Sequence, residues 1–411
     1  MIVNGIIAEY NPFHNGHQFH LEEAKKSTGA DYTVVVMSGN FTQRGEPAIA
    51  HKYIRTKMAL VGGADLVLEL PSLYAVGSAQ YFANGSVSLL DRLGVVDYLC
   101  FGSESGEIGL LKQLASLLIE EPLAYQEVLR QELKRGMSYP LARSRALCHL
   151  YPKCQEMLSA FSAPNTILGI EYLQCLLRRN STIQPMTISR KGSHYHDTRP
   201  RITLSSALAI RHILLGQEEK EVLRTNLPPS VFSILQDYWG VYLPMEGNDF
   251  SLLLHYKLLN EAKEGFSRYM DVTPALSDKI VNNLYAFNGF DSFCDLLKSK
   301  DMTYTRISRS LIHILLGIER QHYEYATELH TVPYAKVLGF RKDARPLLAR
   351  IKEKSEIPLL TKTANASKLL SASALEMFQR DIVVSDIYMS VLAAKSKQSM
   401  LNEYMTSPVI F

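Results

Sequence analysis

Short apolar segments alternate with helical segments over the first hundred residues, and this alternation constrains the fold more than any other feature. Four apolar runs rich in β-branched and aliphatic residues predict buried strands: 2–8, 32–38, 65–70 and 95–101. Helical spacing predicts the intervening helices: 18–27, 50–61 and 78–93. Such an alternation predicts an α/β fold, a Rossmann-like parallel sheet with helices on its faces. Ligands of such a sheet bind beyond the carboxyl ends of its strands.

The first strand ends in a turn with two histidines three residues apart, His14 and His17, and with Gly16 between them. The N–H groups and the dipole at the start of the following helix favour a phosphate group. Because Gly16 has no Cβ, the backbone can approach a ligand closely there. Both imidazoles can donate hydrogen bonds to charge that develops on an α-phosphate. This H-x-G-H turn resembles that of nucleotidyl-transfer enzymes and predicts that a nucleoside triphosphate is opened at its α-phosphate.

Two further segments are candidates for anion binding. The loop 38–48 follows the second strand and contains glycines, amides and Arg44, which can bind phosphate or carboxylate in bidentate fashion. A helix predicted over 205–215 begins with two serines and contains Arg211, an arrangement suited to the β- and γ-phosphates. Between them, His194 and His196 stand beside an aspartate, and a flexible basic loop is favoured there over a metal site.

Composition limits the remaining choices. The formal net charge is only +3, so a nucleic-acid surface would have to be a local patch. None of the five cysteines forms a C-x-x-C pair, which is typical of reduced thiols in a cytoplasmic protein. No apolar run has the length of a membrane span, so no membrane partner is expected.

A Leu-Pro-Pro segment at 227–229 predicts a linker, and we expect an ATP-binding catalytic domain over 1–220 and a mainly helical domain over 221–411. A strand–helix–strand insert is predicted at 334–338, 343–354 and 358–360. Clustered cations near two tyrosines suit an RNA backbone and stacked bases, although a solvated helix face is the alternative. The candidate tRNA contacts are Arg306, Arg309, Lys336, Arg341, Lys342 and Arg345.

The motifs at 5–17, 38–48, 63–71 and 101–104 closely resemble those of the bacterial tRNA(Met) cytidine acetate ligases. The resemblance implies that acetate and ATP give acetyl-adenylate and pyrophosphate, with Mg²⁺ assisting. The acetyl group would then pass to N4 of the wobble cytidine, position 34, of elongator tRNA(Met). The expected catalytic residues are His14, His17 and Arg44. The implied ATP contacts are Ile7, Ala8, Glu9, Tyr10, Asn11, Pro12, Phe13, His14, Asn15, Gly16, His17, Gln18, Phe19, His20, Gly102, Asn165, Arg190 and Lys191.

Two other functions stay open at this point. A small-molecule nucleotidylyltransferase would explain the H-x-G-H turn and the sheet, but it would not explain the function of a basic helical half. A tRNA-binding protein with an inactive nucleotide fold is the third possibility. The sequence also leaves open which group removes the proton from the cytosine amine, and the phosphate of the departing AMP is one option.

Overall fold

The first half of the chain folds as the alternation predicts. The computed structural model describes residues 1–135, 137, 139–150, 163–189, 207–216, 220–300, 302–328 and 332–411. Its strands here are β1 Val3–Ala8, β2 Tyr32–Ser38, β3 Leu66–Leu70, β4 Tyr98–Ser103 and β5 Gln184–Ser189. Its helices here are α1 Asn15–Thr28, α2 Lys52–Val61, α3 Ser72–Ala75, α4 Ala79–Arg92, α5 Ile108–Glu120, α6 Leu123–Lys134, α7 Tyr139–Leu150, α8 Pro164–Arg178 and α9 Ala207–Gly216.

Within its described residues, the second half is helical apart from three further strands and the connecting loops. Its helices are α10 Lys220–Asn226, α11 Pro229–Tyr238, α12 Ser251–Glu261, α13 Pro274–Asn282, α14 Phe290–Leu297, α15 Tyr304–Leu316, α16 Arg320–Glu328, α17 Arg345–Lys354, α18 Ala366–Leu369 and α19 Ala372–Ser396. Its strands are β6 Ala335–Phe340, β7 Leu359–Leu360 and β8 Val409–Ile410. The predicted strand–helix–strand insert is therefore confirmed as β6, α17 and β7.

All of the described strands belong to one sheet, with the order β5–β4–β1–β2–β3–β6–β7 and with β8 beside β6. Strands β1 to β5 pair with one another in parallel, as expected for this sheet. Strand β6 instead runs antiparallel to β3, with Leu66 opposite Phe340. Without β6, β3 would expose the unpaired N–H and C=O groups of an edge strand. The expected division at residue 220 therefore does not separate the sheet from the helices, because the second half completes the sheet.

Alternate residues of the central strands face two apolar cores. On one face, Val34 and Val36 belong to a core that continues into the helices of the second half, for example at Phe250 and Ile307. On the other face, Val35 and Met37 pack with residues of α1, α2, α9 and α11. The second half thus shares its core with the sheet, and this packing holds the loops at the strand ends from both sides.

No helix within the described ranges is long and apolar enough to cross a membrane.

Candidate functional site

A cavity of about 230 Å³ lies at the carboxyl ends of β1, β4 and β5. Most of the expected ATP contacts line it: Ile7, Ala8, Glu9, Tyr10, Asn11, His14, Gly16, His17, Phe19, His20, Gly102 and Asn165. Arg44 lines it as well. The structure therefore brings together the H-x-G-H turn, the loop after β2 and the start of α8, three segments that are distant in sequence.

His14 both begins α1 and faces the cavity. Its Nδ1 atom accepts a hydrogen bond from the Gly16 N–H at 3.0 Å, so this nitrogen is the acceptor of the ring. In a neutral imidazole the other nitrogen, Nε2, then carries the proton and is the donor. The capping bond thus sets the tautomer that a phosphate-binding role requires.

The imidazole of His17 is fixed by aromatic neighbours. It stacks on the His14 ring with centroids 3.8 Å apart and planes at 22°. Tyr10 packs against it edge-on at 4.8 Å, and the Phe13 ring lies at 5.6 Å. This packing orients both histidines before any ligand binds.

Gly16 is needed for a reason beyond ligand approach. A Cβ at this position would lie 2.8 Å from Cε1 and 3.0 Å from Nδ1 of the His14 ring. Any side chain here would therefore displace the capping imidazole. The glycine of the H-x-G-H turn thus makes room for the first histidine.

Four residues of the expected ATP segment do not line the cavity: Pro12, Phe13, Asn15 and Gln18. Phe13 is buried in the core, where its ring fills the space that a Cβ on Gly62 would need. Asn15 Nδ2 donates to the Thr225 carbonyl at 2.9 Å, and Gln18 donates to Glu22 at 2.8 Å. These side chains therefore contact other parts of the protein and not the cavity. Arg190 and Lys191, together with Ser205, Ser206, His194 and His196, lie outside the described residues.

The cavity has further lining residues that the sequence did not identify individually: Gln43, Phe82, Phe101, Leu168, Tyr172, Ile188, Ser189, Ala207 and Leu208. Gln43, Ala207 and Leu208 belong to the two segments predicted to bind anions, 38–48 and 205–215. Arg211, predicted to bind the β- and γ-phosphates, lines the cavity too. Most of these positions are apolar and resemble core residues in the sequence, so only their place at the strand ends could have indicated them.

Arg211 is positioned by the turn that it helps to enclose. Its Nη1 donates to the Asn11 carbonyl at 2.9 Å, and its Nη2 lies 3.7 Å from Glu46 Oε2. Asn11 in turn accepts the Ile49 N–H at 2.7 Å through Oδ1. The two arginines of the cavity, Arg44 and Arg211, therefore come from segments that are far apart in the sequence.

Glu9 brings a carboxylate into the same cavity. Its Oε1 atom accepts the backbone N–H of Gln43 at 2.7 Å, which ties the end of β1 to the loop after β2. Burial raises the pKa of Glu9, while the bond to Gln43 and the charges of Arg44 and Arg211 lower it. Among the described residues that line the cavity, Glu9 is the only acidic one.

A fully buried arginine, Arg55 of α2, supports the loops that follow β1 and β2. Its guanidinium donates to the carbonyls of Ala50 at 2.9 Å, Glu9 at 2.6 Å and Ser38 at 3.1 Å, and also to Gly39. Burial lowers its pKa to about 10. One side chain thus binds the carbonyls at the ends of β1 and β2. The sequence placed Arg55 only within a helix and did not identify this role.

Glu104 orients Asn165, another residue that lines the cavity. One carboxylate oxygen accepts Asn165 Nδ2 at 2.7 Å, and the other accepts the N–H and the hydroxyl of Thr166 at 2.9 and 2.7 Å. A carboxylate accepts hydrogen bonds only, so the amide nitrogen of Asn165 must point toward it. The amide oxygen of Asn165 is therefore the atom left to accept a hydrogen bond from a ligand.

The candidate tRNA contacts do not form one exposed set. Lys336 is a correction: it is buried, 4% exposed, and its Nζ lies 3.0 Å from Glu69 and 2.7 Å from Glu403. Arg309 binds Asp271 at 2.5 Å, and its side chain is only 12% exposed. Lys336 of β6 and Arg309 of α15 thus form ion pairs within the protein.

The other candidates reach the surface. Lys342 and Arg345 are exposed, and Arg306 is half-buried. Arg341 is half-buried too, lies 3.5 Å from Asp343, and has its guanidinium 5.2 Å from the Phe411 ring. Of the expected set, only Lys342 and Arg345 are therefore exposed rather than half-buried or buried.

No cluster of three or more His, Cys, Asp or Glu side chains that could bind a metal occurs in the part of the chain that the structure describes. Within the cavity, Glu9 is the single carboxylate among the described lining residues. A dedicated protein cage for Mg²⁺ is therefore not formed by these residues.

Residues 1–403 match the family described as HIGH Nucleotidyl Transferase. The tRNA(Met) cytidine acetate ligase of Alkaliphilus metalliredigens (strain QYMF) is 38% identical over 418 residues, covering 99% of this chain and 98% of that protein. The corresponding ligase of Thermoanaerobacter sp. (strain X514) is 41% identical over 390 residues, covering 94% and 95%.

Two solved structures are similar over the whole chain. The crystal structure of Thermotoga maritima TmcAL (apo, form I) has a TM-score of 0.93 and 32% identity and covers 100% of both chains. The structure of the same protein bound with alpha-thio ATP has a TM-score of 0.90 and 31% identity, with 100% of this chain and 99% of that chain covered.

Proposed function

Because the chain belongs to the HIGH nucleotidyl transferase family, and within it to the tRNA(Met) cytidine acetate ligases, we propose that it is an ATP-dependent ligase acting on tRNA(Met). In the first step, acetate attacks the α-phosphate of ATP, acetyl-adenylate forms and pyrophosphate leaves. In the second step, the acetyl group passes to N4 of the wobble cytidine, position 34, of elongator tRNA(Met). The product is N4-acetylcytidine.

One observation carries the proposal: His14, His17, Arg44 and Arg211 line one cavity at the ends of the parallel strands. The similar structure bound with alpha-thio ATP supports ATP as its occupant. The small-molecule nucleotidylyltransferase is not favoured, since the relatives named as tRNA ligases match nearly the whole chain.

The first step needs positioning and charge rather than a base, because acetate is already an anion. The donor nitrogen of His14, with His17 stacked on it, is suited to the charge that develops on the α-phosphate. Arg44 and Arg211 are suited to the β- and γ-phosphates, which leave as pyrophosphate. Removing one preorganised donor of this kind costs about 10²–10³ in kcat.

We propose that Mg²⁺ binds together with ATP. The described residues offer no cluster of ligands for it. A triphosphate with bound waters can satisfy most of the octahedral shell of Mg²⁺. The expected cytoplasmic location stays a prediction that follows from tRNA and ATP as substrates.

The test is acetate-dependent exchange of labelled pyrophosphate into ATP, followed by transfer of labelled acetate to total tRNA. We expect exchange with acetate alone and label in cytidine after transfer. Exchange that requires a phosphorylated metabolite would instead select the small-molecule nucleotidylyltransferase. ATP binding without exchange or transfer would select an inactive nucleotide fold.

Lys342 and Arg345 are the residues that we propose for tRNA binding, because both are exposed on one short segment. The double variant Lys342→Ala/Arg345→Ala is expected to weaken tRNA binding and to reduce the salt slope of log K by about 1–2, because each phosphate contact contributes about 0.7–0.9. Filter binding at several salt concentrations measures this slope. Acetyl-adenylate formation should be unchanged.

The matched control is Lys112→Ala/Lys134→Ala, which removes two exposed cations of α5 and α6. Its salt slope should equal that of the unmodified protein. An equal reduction in both double variants would indicate a nonspecific charge effect and would contradict this assignment.

A further inference from the structure

The second step of the proposed reaction requires a proton acceptor. The exocyclic nitrogen of cytidine is a poor nucleophile, because its lone pair is delocalised into the ring. As this nitrogen bonds to the acetyl carbon, the bond from that carbon to the phosphate oxygen breaks, and the electron pair leaves with AMP. One proton must depart from the nitrogen, and a positioned base contributes about 10²–10⁴ to the rate of such a step.

Glu9 is placed to meet this requirement. It directly follows β1, lies in the same segment as the H-x-G-H turn and lines the same cavity. The Gln43 N–H holds one of its carboxylate oxygens at 2.7 Å, so the carboxylate has a defined position rather than a mobile one. No other acidic side chain is found among the described residues that line this cavity.

A carboxylate is an unexpected neighbour for two anionic substrates. Acetate and the triphosphate would both be repelled by an ionised Glu9, and binding them would be easier without it. The donors proposed for the phosphates in the first step are His14, His17, Arg44 and Arg211, and a carboxylate cannot donate to a phosphate in their place. A role in the second step, when pyrophosphate has taken most of the negative charge away, accounts for its presence.

On these grounds we propose that the Glu9 carboxylate takes the proton from the cytidine 4-amino group as the acetyl group is transferred. This inference rests on the proposed ligase function. The bond between N4 and the acetyl carbon forms, the bond between that carbon and the AMP phosphate breaks, and the proton passes from N4 to a Glu9 oxygen. AMP leaves as the anion.

The surroundings of Glu9 suit such a base. Burial raises its pKa, which makes its carboxylate a better proton acceptor near neutral pH than an exposed one. The charged and titratable groups around it are Arg44, Arg211, Glu46, Arg55, Tyr172, His14 and His17. When pyrophosphate leaves, Arg44 and Arg211 lose its negative charge as a counterion, and their field then favours the ionised form of Glu9.

The test is Glu9→Gln, which keeps the size of the side chain and an oxygen for the Gln43 N–H but cannot take up the proton. Because Glu9 lines the cavity proposed for ATP, acetate-dependent pyrophosphate exchange is measured on the same variant, and any loss of exchange should be at least about tenfold smaller than the loss of transfer. Single-turnover transfer from preformed acetyl-adenylate to tRNA should fall about 100-fold or more, the size expected for loss of a general base. Glu127→Gln, an exposed carboxyl on α6, is the matched control and should change neither step.

A pH profile separates a base from a merely structural group. In the unmodified protein, the transfer rate should fall on the acid side as Glu9 becomes protonated, and Glu9→Gln should lack this fall. Glu9→Asp, which retains a displaced carboxylate, should restore part of the rate and the acid limb.

Three outcomes would overturn the inference: unchanged transfer in Glu9→Gln, a parallel loss of exchange and transfer, or an acid limb that persists in the variant. The first would favour the AMP phosphate as proton acceptor. Absence of acetate-dependent exchange in the unmodified protein would contradict the proposed function itself, which distinguishes the two failures.

Discussion

His14 has a structural task in addition to the chemical one that we propose for its imidazole. Its Nδ1 caps the first turn of α1, and that bond leaves Nε2 as the protonated nitrogen. His17 makes no such cap and is instead held by the rings of His14, Tyr10 and Phe13. The two histidines of one motif are thus fixed by different physical means, and their substitution should have different consequences.

At the residue scale, His17→Ala should slow acetate-dependent pyrophosphate exchange about 100-fold or more, because one donor to the α-phosphate is lost. Binding of tRNA should stay within about twofold, since His17 lies in the cavity and not on the exposed cationic segment. Exchange kinetics and filter binding measure the two effects. His149→Ala on α7, an exposed histidine outside the cavity, is the control, and exchange at a normal rate in His17→Ala would contradict the assigned role.

The loop after β2 is an element whose shape depends on contacts from the second half of the chain. Ser308 of α15 donates to the Gly45 carbonyl at 2.7 Å. Asn40 donates to Ser385 of α19 at 3.0 Å and accepts the Lys52 N–H at 2.8 Å. The loop that carries Arg44 is therefore positioned by helices more than two hundred residues away in the sequence.

At this element scale, Gly45→Ala should be far more harmful than Gly29→Ala. Both glycines have positive φ, +74° and +64°, so both variants incur a similar backbone penalty of about 1 kcal/mol. At Gly45, however, the new Cβ would lie 2.3 Å from the Arg309 backbone, whereas nothing lies within 4 Å at Gly29. Only Gly45→Ala must therefore displace α15 from the loop.

Urea unfolding and pyrophosphate exchange measure this difference. We expect Gly29→Ala to lower the free energy of unfolding by about 1 kcal/mol with exchange unchanged. Gly45→Ala should lower it by about 3 kcal/mol or more and reduce exchange, as expected for severe overpacking. Equal losses in the two variants would show that the contact between the loop and α15 is unimportant.

At the scale of the whole molecule, a buried network of charges joins the two halves. Lys52 lies 2.7 Å from both Glu69 and Glu403, and Lys336 bridges the same two carboxylates at 3.0 and 2.7 Å. The Tyr53 hydroxyl adds a bond to Glu403 at 3.0 Å. These residues come from α2, β3, β6 and the segment after α19, so the network connects the sheet with the C-terminal part of the chain.

This network predicts a pH dependence of stability with a definite sign. Lys52 and Lys336 hold the pKa of Glu403 well below its ordinary value of 4.5. A depressed carboxyl pKa adds stability that is present above the ordinary pKa and is lost as the pH falls toward the folded-state pKa. Asp381 has the opposite effect on the pH dependence of stability. Burial raises its pKa from 3.8 to about 6, so the stability that this carboxyl contributes is lost as the pH rises through that interval.

Glu403→Gln isolates the first contribution. At pH 7 it should lower the free energy of unfolding by about 3–5 kcal/mol, because it leaves buried lysine charge without one of its partners. Below pH 4.5 the difference from the unmodified protein should shrink. Denaturant unfolding over a pH series measures both effects, with the exposed Glu353→Gln as the control. A difference that stays constant with pH would contradict the depressed pKa of Glu403.

Local patterns were sufficient for much of the fold and for the centre of the site. Apolar runs, helical spacing and glycine positions are properties of neighbouring residues, so β1 to β4, the parallel sheet and the placement of His14 and His17 at a strand end could be predicted. The same is true of Arg44 and Arg211, because each lies near the end or start of a recognisable element.

Only the tertiary structure decided which distant segments meet. Leu66 pairs with Phe340, and no local pattern specifies a partner so far along the chain. The burial of Lys336 depends on Glu69 and Glu403, and the role of Arg55 depends on carbonyls of two loops. A charged residue looks the same in the sequence whether it lies on the surface or is buried beside opposite charges. Its position is therefore determined by long-range packing.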